Sequence, residues 1–180
     1  MAEIAVRTER GKACLSDHEV LREYLERINE PIKFVNAPRE LSPFDCTMTR
    51  EGKLVGIAEL KCRDKAGSID VTLEYVKQYG CMINAHKFDS CCAAARELAV
   101  PFKLYAWLKR SDCVLAWTVI DGRGLLSVAI KRQMRRAQAT VNSAGADIDR
   151  EVVIIAYEGA KVRHVKEGQQ SGTDLASAAG

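Results

Sequence analysis

No apolar run in this 180-residue chain approaches the ~20 residues that a helix needs to cross a bilayer, so the sequence predicts a soluble protein with no membrane partner. No secretory signal stands ahead of the cysteines, and no two of them form a C-x-x-C pair. The seven (Cys14, Cys46, Cys62, Cys81, Cys91, Cys92 and Cys113) are odd in number and scattered, which points to a reducing cytoplasm. Several fall in apolar stretches, where a free thiol behaves as a small hydrophobe. His86 with Cys91 and Cys92 is the best zinc candidate, and a poor one. A strong charge of either sign is lacking too: with a formal net charge of +3, attraction for nucleic acid has to come from local clusters of Lys and Arg. Internal repeats are absent. What is present, 47% hydrophobic and 28% charged residues, suffices for the core of one globular domain, read here as residues 1–165. Residues 166–180 are rich in Gly, Ser, Ala and Gln without an aromatic, and read as a disordered tail.

Ser16-Asp17-His18-Glu19 is a capping-box pattern that predicts a helix over residues 16–29, with Val20, Leu21, Tyr24, Leu25 and Ile28 as its apolar face. Pro31 stops it, and residues 32–35 suit a short strand. Residues 41–49 and 53–63 alternate in character around a turn at Arg50-Glu51-Gly52-Lys53 and predict a hairpin. Residues 69–78 suit a helix. Over residues 85–99, Phe88, Cys91, Cys92, Ala95 and Leu98 recur at helical spacing, and Pro101 ends the pattern. Residues 102–108 and 114–120 predict a second antiparallel pair, and residues 151–157 a final strand. Residues 122–142 are open between helix and strand. This order gives an α/β domain whose mixed sheet is flanked by helices.

The period of two along the second hairpin strand sends Glu59 and Lys61 to the face of Val55 and Ile57. Asp45 lies on the partner strand. A two-residue turn with an unbroken ladder would set it opposite Ala58, on the wrong face. A bulge or a three-residue loop near Glu51 to Lys53 is therefore expected if Asp45 is to meet Glu59. Two converging carboxylates repel each other, which a divalent cation would relieve. Mg2+, with Mn2+ as substitute, suits Asp45, Glu59 and a backbone carbonyl such as that of Leu60, together with water and a substrate phosphate. A neighbouring Lys61 could orient the nucleophile or stabilise the transition state of phosphodiester hydrolysis. The alternative is a solvated hairpin on which Glu59 and Lys61 form an ordinary ion pair.

With Glu19 and Glu23 on a first helix, Pro43-Phe44-Asp45 on one strand, Glu59-Leu60-Lys61 on the next and a helix after them, residues 16–120 resemble the PD-(D/E)XK nuclease superfamily. Asn84-Ala85-His86-Lys87-Phe88 and Glu97-Leu98-Ala99-Val100-Pro101-Phe102 are similar to small phage-type members. The resemblance implies a restriction-endonuclease-like fold, DNA as substrate and a phage or mobile-element role, in the host cytoplasm if viral. By the same resemblance Asp45 and Glu59 match metal ligands, Lys61 the catalytic lysine, and Glu23, ahead of Glu19, the first-helix acid. Phe44 splits the family's Pro-Asp pair. The Q-x-x-x-Y helix motif of one branch is absent, since Met82 stands four positions after Gln78, and the cysteines do not suit an iron-sulfur branch.

For substrate contact, Lys131, Arg132, Arg135 and Arg136 form a basic cluster, Lys109-Arg110 a second, and Lys87 could reach the site or cover apolar surface with its stem. Trp107 and Trp117 suit the core rather than base stacking. The reading is a Mg2+-dependent deoxyribonuclease. A Holliday-junction resolvase is its rival among enzymes and would require a homodimer presenting two sites. A non-catalytic nucleic-acid-binding module of the same fold is the rival from another class.

Overall fold

Alternation of side chains along the central strands gives one sheet two apolar faces, and each face collects its own core. The computed structural model describes residues 9–37, 42–66, 68–138 and 147–165. The expected tail, residues 166–180, and the side chain of Cys14 lie outside the described residues. Helix α1 (Glu9–Ile28) leads into β1 (Lys33–Asn36), β2 (Cys46–Arg50) and β3 (Lys53–Arg63). The short strands β4 (Lys65–Ala66) and β5 (Ile69–Asp70) pair with each other before α2 (Leu73–Tyr79). Next come β6 (Cys81–Asn84), α3 (Ala85–Glu97), β7 (Phe102–Leu108) and β8 (Cys113–Ile120), the last two joined by a 3-10 turn. β9 (Ile130–Gln138), β10 (Asp147–Ile155) and β11 (Lys161–His164) complete the described elements.

The main sheet has the order β1-β2-β3-β7-β8-β11. It is mixed: β3 and β7 are parallel, and the other neighbours are antiparallel. On one face, Ala58 and Leu60 of β3 join Phe34, Cys46, Met48, Tyr105 and Val114 beneath Leu21, Tyr24 and Leu25 of α1. On the other, Ile57, Phe102, Leu104, Leu108, Leu115 and Trp117 meet Phe88, Cys91, Cys92 and Ala95 of α3, with Ile83, Val153 and Ile155 from the small antiparallel sheet β6-β10-β9. The fold is thus mixed α/β, with three α-helices among the described residues. No described helix is long and apolar enough to cross a membrane.

Several expectations are corrected. α1 begins before Ser16, so Ser16 to Glu19 lie inside the helix rather than capping it. Asp17 is instead drawn into a tertiary ion pair with Lys109 at 2.8 Å. Val20 faces outward, 49% exposed. Residues 69–72 precede the helix, which starts once Thr72 accepts a hydrogen bond from the Tyr75 N–H at 3.2 Å. The open stretch 122–142 contains β9, and β10 is followed by β11, so it is not the final strand. The six cysteines with described side chains are free thiols, and all but Cys62 are buried.

Candidate active site

The β2–β3 hairpin sets the geometry. Arg50 pairs with Lys53 around a two-residue turn in which Glu51 and Gly52 take φ of 51° and 76°, the left-handed values that a tight hairpin of primed type requires. The ladder then shifts: Thr49 pairs with Leu54 but Met48 with Gly56, which leaves Val55 as the extra residue of a bulge on β3. Beyond it Cys46 pairs with Ala58, and counting on brings Asp45 level with Glu59. The register correction expected near Glu51 to Lys53 is therefore made a little farther along, at Val55, behind a turn of ordinary length. The bulge also reverses Val55, which packs toward α1 while Ile57 packs toward α3. The two do not share a face as the simple alternation had it.

Asp45 lies just before β2, where the ladder ends. Its N–H donates to the Ala58 carbonyl at 3.1 Å, and its Oδ2 accepts the Leu60 N–H at 2.9 Å, so the side chain replaces the missing strand partner. In a strand the N–H and C=O of one residue point the same way, so the Leu60 carbonyl faces this open edge too, while its side chain is buried against α1. Two contacts fix the loop that carries Asp45 onto α3: Phe44 packs on the core, and the Cys91 thiol donates to the Pro43 carbonyl at 2.7 Å. Phe44, which splits the Pro-Asp pair, is thus an anchor.

Glu59 is 0% exposed, the single buried charged residue among those described. Lys61 pairs with its Oε1. Lys87, in the first turn of α3, which Asn84 caps, places Nζ 3.1 Å from Glu59 Oε2 and 3.3 Å from Asp45 Oδ1. The contact with Oε2 is an ion contact without hydrogen-bond alignment, and Oε2 is a buried oxygen with no hydrogen-bond partner. One ammonium touching both carboxylates holds them well inside the ~8 Å beyond which they could not share an ion.

The two carboxyls titrate apart. Burial pushes Glu59 up to about 7, Asp45 adding to the rise while Lys61 and Lys87 oppose it. For Asp45 burial also acts upward, but Lys61, Lys87 and the Leu60 N–H outweigh it and hold the carboxyl below its ordinary value. His18 is the α1 residue that reaches this field. Burial lowers its pKa, with Lys61 and Lys87 adding to the fall and Asp45 and Asp17 opposing it. Glu19 and Glu23 are exposed, and neither pairs with the cluster among the described residues. Helix phase explains this: His18 precedes Leu21 by three residues and Leu25 by seven, on the inward stripe, whereas Glu23 faces solvent. The sequence pattern directs attention to an acid on α1 and away from the imidazole, although that spacing could have found it.

Lys131, Arg132, Arg135 and Arg136 lie exposed on β9, but the strand sorts them. Arg132 pairs with Asp89 of α3 and with Glu151 of β10 at 3.2 Å, and Arg136 stands across from Asp149. Lys131 and Arg135 point to the opposite face, where Arg135 stands across from Arg150. The second basic pair is engaged internally: Lys109 holds Asp17 and lies over the Trp107 ring at 5.6 Å, and Arg110 holds Asp64. Trp117 is core, its indole N–H donating to the Ala156 carbonyl at 3.0 Å, while Trp107 is only partly buried.

Among the described residues no group of three or more His, Cys, Asp and Glu is placed to hold a metal. His86 is exposed while Cys91 and Cys92 are buried, which removes the zinc candidate. The donors that do converge are oxygens: two carboxylates, one with an orphaned buried Oε2, beside the edge carrying the Leu60 carbonyl. That set fits a small hard cation that keeps most of its ligands as water or substrate oxygen. Comparison of the chain with protein-family models, with curated proteins and with solved structures finds no match in any of the three.

Proposed function

We propose that this protein is a Mg2+-dependent nuclease, with Mn2+ as a substitute, that hydrolyses phosphodiester bonds in DNA on a restriction-endonuclease-like fold. The observation that carries the reading is the convergence of Asp45, which leads into β2, with Glu59 and Lys61 of β3 on one largely buried point. The element order supports it. A first helix, Asp45 leading one strand, Glu59-Leu60-Lys61 on the next, and a later helix followed by further strands follow the plan of the PD-(D/E)XK superfamily, while the first-helix acids Glu19 and Glu23 stand exposed off the site.

In this reading Asp45, Glu59 and the Leu60 carbonyl would hold the cation, which would supply Lewis-acid charge and lower the pKa of a bound water. Asp45 remains ionised and is positioned by the Leu60 N–H. Glu59, whose carboxyl burial raises to about 7, can hold or release a proton near neutrality. Lys61, fixed by Glu59 and 21% exposed, directs a positive charge toward where a phosphoryl oxygen gains negative charge. Lys131 and Arg135 contact phosphates away from the chemistry.

The test is incubation with labelled single- and double-stranded DNA, a four-way junction and RNA, with Mg2+, with Mn2+ and with chelator. DNA cleavage that needs metal is the expected result. One observation favours the non-catalytic nucleic-acid-binding module as a second reading: Lys61 and Lys87 already balance both carboxylates, so the cluster stands without a cation. Cleavage under no metal condition would overturn the first reading, and retained binding of the same substrates would favour the second. Exclusive cutting of the junction by a dimer would narrow the enzyme to a resolvase.

A further inference from the structure

Resting on the cation of the nuclease reading, we propose that Lys87 is the site's built-in counter-ion: its ammonium holds the cation position between Asp45 and Glu59 in the metal-free protein. It swings out when a divalent cation binds, and is then free to meet a substrate phosphate. The two lysines of the cluster differ in a way that assigns them different parts. Among the described residues Lys61 forms its ion pair with Glu59 Oε1, from the same strand. Lys87 arrives from another element and bridges the two oxygens, Asp45 Oδ1 at 3.3 Å and Glu59 Oε2 at 3.1 Å. A divalent ion shared by these two oxygens would lie about 2.1 Å from each, in the space this ammonium faces, and its charge would repel the ammonium. Both cannot stay.

The surrounding structure lets the side chain leave while the backbone keeps its place. α3 is fixed at its start by the Asn84 cap, which accepts the Lys87 N–H at 3.3 Å, and one turn later by the Cys91 contact to Pro43. The lysine stem is flexible, and the Lys87 side chain is already 29% exposed, so an outward path is open. Its contact with Glu59 Oε2 is an ion contact at 3.1 Å, made by the mobile end of the side chain. An ammonium bound this way neutralises the pair well enough for folding, yet gives way to an ion that can coordinate both oxygens directly. Lys87 therefore sets a threshold for cation binding and couples cation arrival to the release of a phosphate-binding group.

Two measurements on the full chain test this, and neither reads turnover. The first is brief labelling of wild-type protein with an amine-reactive reagent, followed by peptide mass spectrometry, with and without Mg2+. Labelling of Lys87 should rise several-fold with Mg2+ while Lys61 changes little. Equal or lower labelling of Lys87 overturns the proposal. The second is titration of Mn2+ into wild type, Lys87→Met and Lys61→Met. Loss of the competing charge should tighten Mn2+ binding on the order of tenfold in Lys87→Met. Equal or weaker binding than wild type overturns the counter-ion role and leaves the nuclease reading standing. Should no protein bind Mn2+ and wild-type labelling ignore Mg2+, the cation fails, and the nuclease reading with it. The labelling arm decides the matter even if Lys87→Met folds poorly.

Discussion

Lys61 and Lys87 contact carboxylates at a largely buried point, whereas Lys131, Arg135 and Arg136 lie exposed along β9. The residue types are alike; their surroundings reverse their energetics. In the first group each charge is held against a partner that water reaches poorly, so removing one leaves another uncompensated at a cost of several kcal/mol. In the second, solvent and salt screen each charge, and an exposed pair contributes about 0–1 kcal/mol. The buried cluster is thus suited to chemistry at fixed positions, and the strand to attraction of a polyanion without fixed register. Perturbing the first should change rates and folding, and perturbing the second should change affinity and its salt dependence.

The largest effect is expected for Asp45→Asn beside Lys61→Met. In the proposed nuclease Asp45 would supply charge to the cation, so its loss should weaken Mg2+ binding and abolish turnover together. Lys61 would act there as charge builds on the phosphate, so its loss should slow single-turnover cleavage by ~100-fold or more while Mg2+ binding persists. Calorimetric Mg2+ titration alongside single-turnover rates separates the two. A Lys61→Met variant that cleaves at the wild-type rate would reduce Lys61 to an ordinary ion-pair partner and erase the contrast with β9.

Next comes the pH dependence of folding in chelator. Glu59 rises from an ordinary 4.5 to about 7 in the folded protein. Below about 4.5 both folded and unfolded chains hold the proton. Between about 4.5 and 7 only the folded chain keeps it, so stability falls as pH rises through this window, by on the order of 3 kcal/mol. Asp45 has the opposite sign: its depressed pKa stabilises the fold above its ordinary 3.8, and this is lost as pH falls through the folded value. Denaturant melts from about pH 5 to about pH 8 should show wild type losing more stability than Glu59→Gln, with Mg2+ restoring most at the alkaline end. Parallel profiles would mean that Glu59 titrates as an ordinary exposed acid.

The same contrast governs how much was legible in the sequence. β7 runs over residues 102–108 as read, because Pro101 and the polar Lys109 to Asp112 bracket an apolar run. β3 occupies 53–63 and α3 starts at Ala85, again as read. β6 escaped notice because Asn84 passes directly into α3 with no turn residues between them. β9 stayed open between helix and strand because Lys-Arg-Gln-Met-Arg-Arg carries no apolar alternation: one strand face is ionic and balanced by α3 and β10, the other basic. Asp45, Glu59 and Lys61 could be put in one place from local register, given the bulge. His18 could have been placed on the inward stripe of α1 by its spacing from Leu21 and Leu25, whereas the bridging position of Lys87 depends on how α3 docks, which local pattern does not encode. The cluster of four cations on β9 was visible, but its division into two faces required the pairing with β10.

The smallest effect concerns that division, and it sharpens the comparison within β9 itself. Lys131 and Arg135 occupy the other face of β9, away from Asp89 and Glu151, with Arg150 across from Arg135. Replacing both with Ala should weaken DNA binding alike on all sequences and reduce the salt slope by about 2, one for each phosphate that loses its cation. Arg132 was grouped with them in the sequence, but Asp89 and Glu151 already satisfy its guanidinium. A phosphate would have to displace two carboxylates to use it. Arg132→Ala should therefore leave the salt slope close to wild type, with folding little changed because the pairs are exposed. The measurement is the slope of log affinity against log salt for wild type, Arg132→Ala and the Lys131→Ala, Arg135→Ala double variant on one unreacted duplex in calcium buffer. If Arg132→Ala flattens the slope as much as the double variant does, β9 acts as an undivided basic patch, and the sorting of its faces has no part in DNA binding.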